Sequence, residues 1–504
     1  MGGPNQSLAN KLGISEEKPY FTNPVSGEKV YWFYDAPHLL KLLRNHILDS
    51  KGLKLKCGKT IDKSVFEKIL RADSQDFKIC YKLTQKHISL NNREKQRVCY
   101  AAQLLSRTTS LAIESLDPNN KEISEFVALV NDWFDVFNSR HPNDPIRKPF
   151  GMDLENQTAI LDRMSDEIRH LRKGDKRAML PFQRGILISI NSLKALFNDL
   201  STGPLKMRYT ITRAYNQDKL ENCFGMIRAV GRYHDCPNAY EAQCRLKTVM
   251  LGWNYRENTR SVSANIEDSA PTTFLSSLLL SSLNKNSTGC TEDGSCDDDV
   301  QDPDVENNQL DEDELPSEEN WNEFYGKLNS SEKCEFGGKE YVCGFIARKL
   351  KKKFPQLSLG HTSSVTRMPQ SWVQRKSRGN LTVPTYDWLA MCSKLDKVFV
   401  QHHDLPGPVK VNQNPGAIRG LRRKLEKRFP EIPPQAIRLF VRTRTFIRIK
   451  HVNHNIVANR FSRNKKGAQF AKSSMNLRNQ SRTNEGFSIL NFDDEEMSTT
   501  CRGI

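Results

Sequence analysis

No run of the chain approaches the roughly 18 to 20 consecutive apolar residues that a membrane-spanning helix needs. The best candidate, Phe274 to Leu283, is short and peppered with serine, so a spanning helix is excluded. The first residues, Met1-Gly-Gly-Pro-Asn5, have neither a basic nor an apolar stretch, so no secretion signal is expected there. The 12 cysteines include no Cys-x-x-Cys pair, which argues against a disulfide framework and for reduced thiols in an intracellular protein. Also lacking are a GxxxxGK[ST] phosphate loop, a heptad coiled coil and any internal repeat.

What is present is length and charge. The 504 residues, 37% of them hydrophobic, are too many for one core and suggest about two to four domains. The net charge of +17 conceals a segregation: Lys285 to Lys327 encloses 15 acidic residues and no basic one. The remainder holds 76 basic residues against 44 acidic ones, an excess of 32. The acidic stretch is rich in Ser, Asn and Gln, lacks periodicity and reads as a solvated linker. Residues 345–482 then carry 30 Lys or Arg against 5 Asp or Glu. Such a surface suits a polyanion, bound through counterion release and therefore sensitive to salt; a merely solvated basic face is the plainer alternative.

Val30-Tyr-Trp-Phe-Tyr34 is strand-like, and Asp35-Ala-Pro37 followed by Leu39, Leu40, Leu42, Leu43 and Ile47 reads as the start of a helix. Pro37 suits a first helical turn, which puts Asp35 at the strand's end. Residues 52–180 read as mostly helical, with one helix over Lys95 to Leu111 and another over Ile123 to Phe137. Pro181 to Phe197 has a β-prone start and a helix-like finish, and Asn216 to Val230 reads as a helix. Further helices are expected over Tyr341 to Leu350, Tyr386 to Phe399 and Ala417 to Phe429, with Phe440 to Ile449 either a basic strand or a helix.

Three acids stand out: Asp35 after a strand, and Asp218 with Glu221 three apart on one helix face. Carboxylates so placed can hold two divalent metals in a nuclease-type centre. By spacing alone they are equally a helix cap and a surface pair.

The wording of the chain says more. Asp35-Ala-Pro-His-Leu-Leu-Lys-Leu-Leu-Arg-Asn45 resembles the DxPHLLKxxRN element of P-element-type and THAP-protein-related DNA transposases. Asn5 to Gly13 is similar to the stretch before that element, and Val98 to Ser106 and Trp133 to Ser139 are similar to parts of the family's GTP-binding insertion. Asn216-Gln-Asp-Lys-Leu-Glu-Asn-Cys-Phe-Gly-Met-Ile-Arg228 resembles its QDxLExxFxxIR helix, and Tyr341 to Gly344, Ser377 to Pro384 and Arg442 to Ile449 continue the likeness.

The resemblance implies an α/β RNase H-like core, incomplete here, interrupted by a mainly α-helical GTP-binding insertion domain and followed by a basic, mostly α C-terminal domain. Its boundaries fall at 1–51 and 181–260 for the two parts of the core, 52–180 for the insertion, 261–325 for a disordered linker, 326–463 for the basic domain and 464–504 for a disordered tail. It implies Mg²⁺-dependent cleavage and strand transfer of DNA, with Asp35 and Glu221 catalytic and, with Asp218, metal-binding. GTP would assist assembly on DNA without being hydrolysed, held by Phe134, Asp135, Asn138 and Asp218 and by a basic residue, Lys95 or Arg97. The DNA partners would be transposon ends and target, held by Arg422, Arg423, Lys424, Arg442, Arg444 and Arg448; self-association and a nuclear location are implied, and no membrane.

The chain starts at a point corresponding to the middle of the RNase H-like domain, so the first catalytic Asp would lie upstream, and the Cys and His of a THAP zinc finger are missing from the sequence as it stands. As written it reads as a fragment or a domesticated derivative, not a competent transposase; the alternative is a non-catalytic nuclear DNA- and GTP-binding protein. His38 is expected to orient the Asp35 loop or to pack locally. Cys223, Cys236 and Cys244 are read as thiols and His402, His403, His451 and His454 as loop or DNA-proximal residues. Tyr386, Trp388 and Phe399 are read as core.

Overall fold

In the computed structural model, the residues described are 3–92, 94–174, 178–204, 206–230, 236–252, 321–351, 354, 359–361, 371–378, 381–404, 411–412, 414 and 416–453. The expected linker up to residue 320 and the tail from 464 lie outside them, as does Phe274 to Leu283. The chain divides into two compact units, Met1–Lys394 and Leu395–Ile504.

The first unit is mainly helical. Its described strands form three two-stranded antiparallel ladders: Tyr20–Thr22 with Lys29–Tyr31, Leu53–Lys54 with Thr60–Ile61, and Gly360–His361 with Val383–Pro384. The apolar run at Val30 to Tyr34 thus contributes a strand only as far as Tyr31, and the described residues form no larger sheet.

Helix Ala36–Leu48 begins where the sequence puts it. The Asp35 carboxylate accepts from the His38 N–H at 2.9 Å, and Pro37 occupies the first turn, where no N–H is needed. Leu39, Leu40, Leu43 and Ile47 recur at helical spacing and are fully buried. They join one core with helices Lys121–Val136, Leu154–His170 and Pro181–Thr202, in which Val127, Trp133, Leu161, Ile186 and Leu193 also lose all exposure. Burying a side chain of that size stabilises by about 1.5 to 3 kcal/mol before ordering costs.

Two expectations are corrected here. Lys95 to Leu111 is not one helix: Val98–Leu104 stops, Ser106 turns extended and caps Arg107–Leu116 by accepting from the Thr109 N–H. Pro181–Thr202 is helical from its first residue despite Ile186, Ile188 and Ile190, because a helix buried around much of its girth needs no polar face. The expected helices at Ile123 to Phe137 and Asn216 to Val230 are observed as Lys121–Val136 and Asp218–Val230. Trp321–Lys327, five of whose residues were assigned to the linker, is helical too.

Helix Ser330–Lys351 packs closely through its glycines. A Cβ on Gly338 would stand 2.5 Å from the Lys78 backbone nitrogen, and one on Gly344 would stand 2.1 Å from the Thr382 carbonyl oxygen. Between them Glu340 is buried and accepts from the Ser371 hydroxyl and from the Trp372 and Val373 N–H groups, fixing the start of helix Trp372–Lys376. Burial pushes the Glu340 carboxyl up to about 7, against the pull of those donors. With the folded value above the unfolded one, its contribution to stability grows as pH falls from about 7 toward 4.5 and is lost on the way back up. Glu340→Gln keeps acceptor and shape and is expected to flatten that part of the stability profile. Glu340→Ala strands buried donors and is expected to cost about 3 kcal/mol at neutral pH, read by urea denaturation.

The second unit holds the end of helix Tyr386–His403, helix Ala417–Arg428 and a helix over 434–453. Leu395, Phe399, Leu421, Leu425, Ile437 and Phe440 are buried in it. The Phe440 to Ile449 segment is therefore helix, not strand.

Candidate functional site

Helix Lys121–Val136 turns Phe134 into the core and leaves Asp135 at the margin. Just beyond the helix end, Asn138 and Ser139 are buried and stitched to a distant segment. The Ser139 Oγ accepts from the Thr212 N–H at 3.0 Å, and the Ser139 carbonyl accepts from the Arg213 N–H at 3.2 Å. This stitch brings Arg213 to both sides of the site. One guanidinium nitrogen donates to the Asn138 side chain at 3.4 Å, and another pairs with the Asp218 carboxylate at 2.6 Å.

The same junction reaches the N-terminal segment around Asp35. Tyr215 stacks on Phe33 with ring centroids 4.8 Å apart, and the Gln217 N–H donates to Asp35 at 3.0 Å. One turn later the Glu221 N–H donates to the Gln217 carbonyl. Asp35 therefore caps one helix with one oxygen and holds the entrance of the Asp218–Val230 helix with the other. Asn138, Asp218 and Asp35, far apart in sequence, are linked through Arg213 and Gln217. His38 serves Asp35 through its backbone N–H.

Asp135 is half-buried, and three side chains donate to its carboxylate. Its Oδ1 accepts from Arg147 Nε at 3.0 Å, and its Oδ2 accepts from the Asn131 amide at 3.0 Å and from Arg378 at 3.4 Å. Burial raises its carboxyl above the usual range, and the two guanidinium groups oppose that shift. A carboxylate with one acceptor site open on each oxygen can take two parallel N–H donors, the pattern that a guanine edge presents and adenine does not; here Oδ1 has such a site, and Oδ2 gains one only when one of its two donors leaves.

Sequence reasoning missed Arg147, Arg213 and Arg378, because nothing local in the sequence ties these arginines to Asp135 and Asp218. It also missed Arg44, which is fully buried, donates to the Lys95 carbonyl at 2.6 Å and so tethers the turn carrying Lys95 and Arg97. Burial lowers the Arg44 guanidinium to about 10. The available signal was a basic residue on the apolar face of helix Ala36–Leu48. Lys95 and Arg97 themselves are exposed, Arg97 lying over the Tyr100 ring.

Residues 37–148 match the family described as TNP-like, GTP-binding insertion domain. The chain is 37% identical over 262 residues to the Transposable element P transposase of Drosophila melanogaster, an alignment covering 50% of this chain and 34% of the relative. The chain is related to P-element-type transposases. It is also 26% identical over 246 residues to the human DNA transposase THAP9, covering 44% of this chain and 27% of that protein. The transposase-related chain thus spans about a third or less of the length of these curated relatives. Among solved structures, the Drosophila P element transposase strand transfer complex matches at 36% identity and a TM-score of 0.47, over 51% of this chain and 59% of that one.

In this transposase-related chain, no group of three or more His, Cys, Asp or Glu among the described residues is arranged to hold a metal ion. Asp35 meets the entrance of the helix that carries Glu221 through the Gln217 N–H, Glu221 itself is exposed, and Asp218 already has the Arg213 guanidinium as its counter-charge. The described donors therefore do not by themselves fit Mg²⁺. Cys223, Cys236 and Cys244 are free thiols. No helix among the described residues is long and apolar enough to cross a membrane.

The basic residues of the second unit divide sharply. Arg423 and Lys424 are exposed on helix Ala417–Arg428, and Arg422 is half-buried and paired with Glu426 at 3.3 Å. Arg442 is half-buried on the next helix. Arg444 and Arg448, expected at a DNA surface, are instead buried. Arg444 donates to Asp396 at 2.6 Å and lies over the Phe399 ring at 4.7 Å. The reason is phase: 437, 441, 444 and 448 follow helical spacing and share the core-facing side. His403 is likewise interior, at the end of helix Tyr386–His403, where its Nδ1 accepts from the Asn412 N–H at 3.0 Å.

Proposed function

We propose that this chain is part of a P-element-like DNA transposase or of a protein derived from one. Its helical insertion domain binds GTP, with Asp135 reading the base and Asn138, Arg213 and Asp218 forming the adjoining wall. The match of residues 37–148 to the TNP-like, GTP-binding insertion domain carries this reading. It is supported by the convergence of Asn138, Arg213 and Asp218 beside Asp135's helix.

The segments flanking the insertion, around Asp35 and Glu221, correspond in this reading to the two parts of an RNase H-like core whose carboxylates serve DNA phosphodiester chemistry. We derive no metal-dependent step, because the described carboxylates do not form a complete ligand set. Nuclear location and self-association follow from the same reading.

DNA is proposed to lie along helix Ala417–Arg428, whose exposed cations include Arg419, Arg423, Lys424, Lys427 and Arg428. Arg423→Glu with Lys424→Glu is expected to weaken duplex binding regardless of sequence. The slope of log K against log salt should become shallower by about 1.8, two phosphate contacts at roughly 0.9 each. Duplex affinity measured with and without GTP tests the function as a whole: GTP, and not ATP, is expected to strengthen it. Equal effects of the two nucleotides, or no duplex binding, would remove the proposal.

A further inference from the structure

We infer that Arg378 and a guanine base compete for the same edge of Asp135, so that nucleotide binding releases part of the 371–378 segment from the insertion domain. The inference rests on the reading that Asp135 takes the nucleotide.

The argument begins with the lone pairs of the carboxylate, about two on each oxygen. Oδ1 gives one to Arg147, while Oδ2 receives both the Asn131 amide and Arg378. A guanine edge offers two parallel N–H groups and needs one acceptor site on each oxygen. Oδ1 has one to spare, and Oδ2 has none until a donor leaves.

Asn131 lies one turn back on the same helix and is held in place by it. Arg378 is the weaker holder: it comes from a segment 243 residues away, its contact is the longest at 3.4 Å, and its side chain is 29% exposed. Arg378 also has a second seat, donating to Asp132 at 3.4 Å. It can therefore yield Asp135 without losing every counter-charge, which lowers the cost of the exchange.

The rest of the segment is anchored independently of Asp135. Arg375 donates to the Ser115 hydroxyl at 2.6 Å and to Glu114 at 3.1 Å, and Glu340 holds Ser371, Trp372 and Val373. Nucleotide binding thus removes one hold of several, at the end nearest strand Val383–Pro384. By linkage, the factor by which Arg378 weakens the nucleotide equals the factor by which the nucleotide weakens that hold.

The test uses the full chain, a fluorescent GTP analogue displaced by unlabelled GTP and ATP, and hydrogen exchange with and without GTP. Arg378→Gln removes the charge and the fork at a partly exposed site and is expected to tighten GTP by about 5- to 10-fold, within the usual range of coupling between sites. In the wild type, GTP is expected to speed amide exchange at residues 377–378 and leave 371–373 protected. If wild type binds GTP and Asp135→Asn abolishes that preference, yet Arg378→Gln binds GTP no tighter and exchange at 377–378 does not change, the competition is wrong while the nucleotide reading stands. If neither wild type nor Arg378→Gln prefers GTP to ATP, the nucleotide reading itself fails and takes the competition with it.

Discussion

Replacing Asp135 with asparagine is expected to lower GTP affinity about 100-fold or more and to make XTP the better ligand. A carboxylate accepts from both guanine N–H groups, and each hydrogen bond to a charged group is worth about 1.5 to 3 kcal/mol. Losing one and weakening the other corresponds to about two orders of magnitude at 1.4 kcal/mol per tenfold. The direction of the switch follows from the amide itself, which keeps one acceptor oxygen and turns the other carboxylate position into a donor. The new amide then faces the base and presents a donor, which suits the extra carbonyl of xanthine. Displacement titrations with GTP and XTP check this; an unchanged ratio would contradict the assignment.

The same carboxylate predicts a pH effect. Burial raises its titration above the ordinary range, so GTP affinity should begin to fall at a higher pH than an exposed aspartate would allow. Protonation replaces an acceptor with a donor, and the loss should grow as pH decreases. The Asp135→Asn variant should lack it.

Removing Arg213 is expected to have the second large effect, this time on stability and binding together. Its side chain is 19% exposed and that of its partner Asp218 is 14% exposed, so the pair sits mostly away from water. Arg213→Met removes the counter-charge of Asp218 and one donor to the Asn138 side chain. The expected loss is about 3 kcal/mol of unfolding free energy, the lower part of the range for breaking a buried pair. Arg213→Met combined with Asp218→Leu should recover much of it, since a partly buried ion pair is often replaceable by apolar groups of similar size. Urea denaturation checks both. A single variant as stable as wild type would mean that the junction does not depend on the pair.

Much of this was legible in the sequence, and the failures are physically instructive. Asp35 as cap and Pro37 as first-turn residue could be read directly, because capping is local chemistry. Residues 181–190 could not, since a buried helix and a buried strand share the same unbroken apolar run and differ only in tertiary surroundings. The density of basic residues pointed to a polyanion surface, yet burial of Arg444 and Arg448 is decided by the phase of their helix and by Asp396 and Phe399. The acids at 35, 135, 218 and 221 were marked by their resemblance to family motifs. Their arginine partners were not, because Arg378 meets Asp135 across 243 residues of sequence.

The central claim is that the insertion domain distinguishes a guanine base. It is tested most directly by equilibrium titration of the wild-type chain with GTP and with ATP near neutral pH. Adenine puts a ring acceptor where guanine has an N–H, so GTP is expected to bind at least about tenfold more tightly, the equivalent of a single good hydrogen bond. Equal affinity for the two nucleotides, or no binding of GTP, would contradict the account.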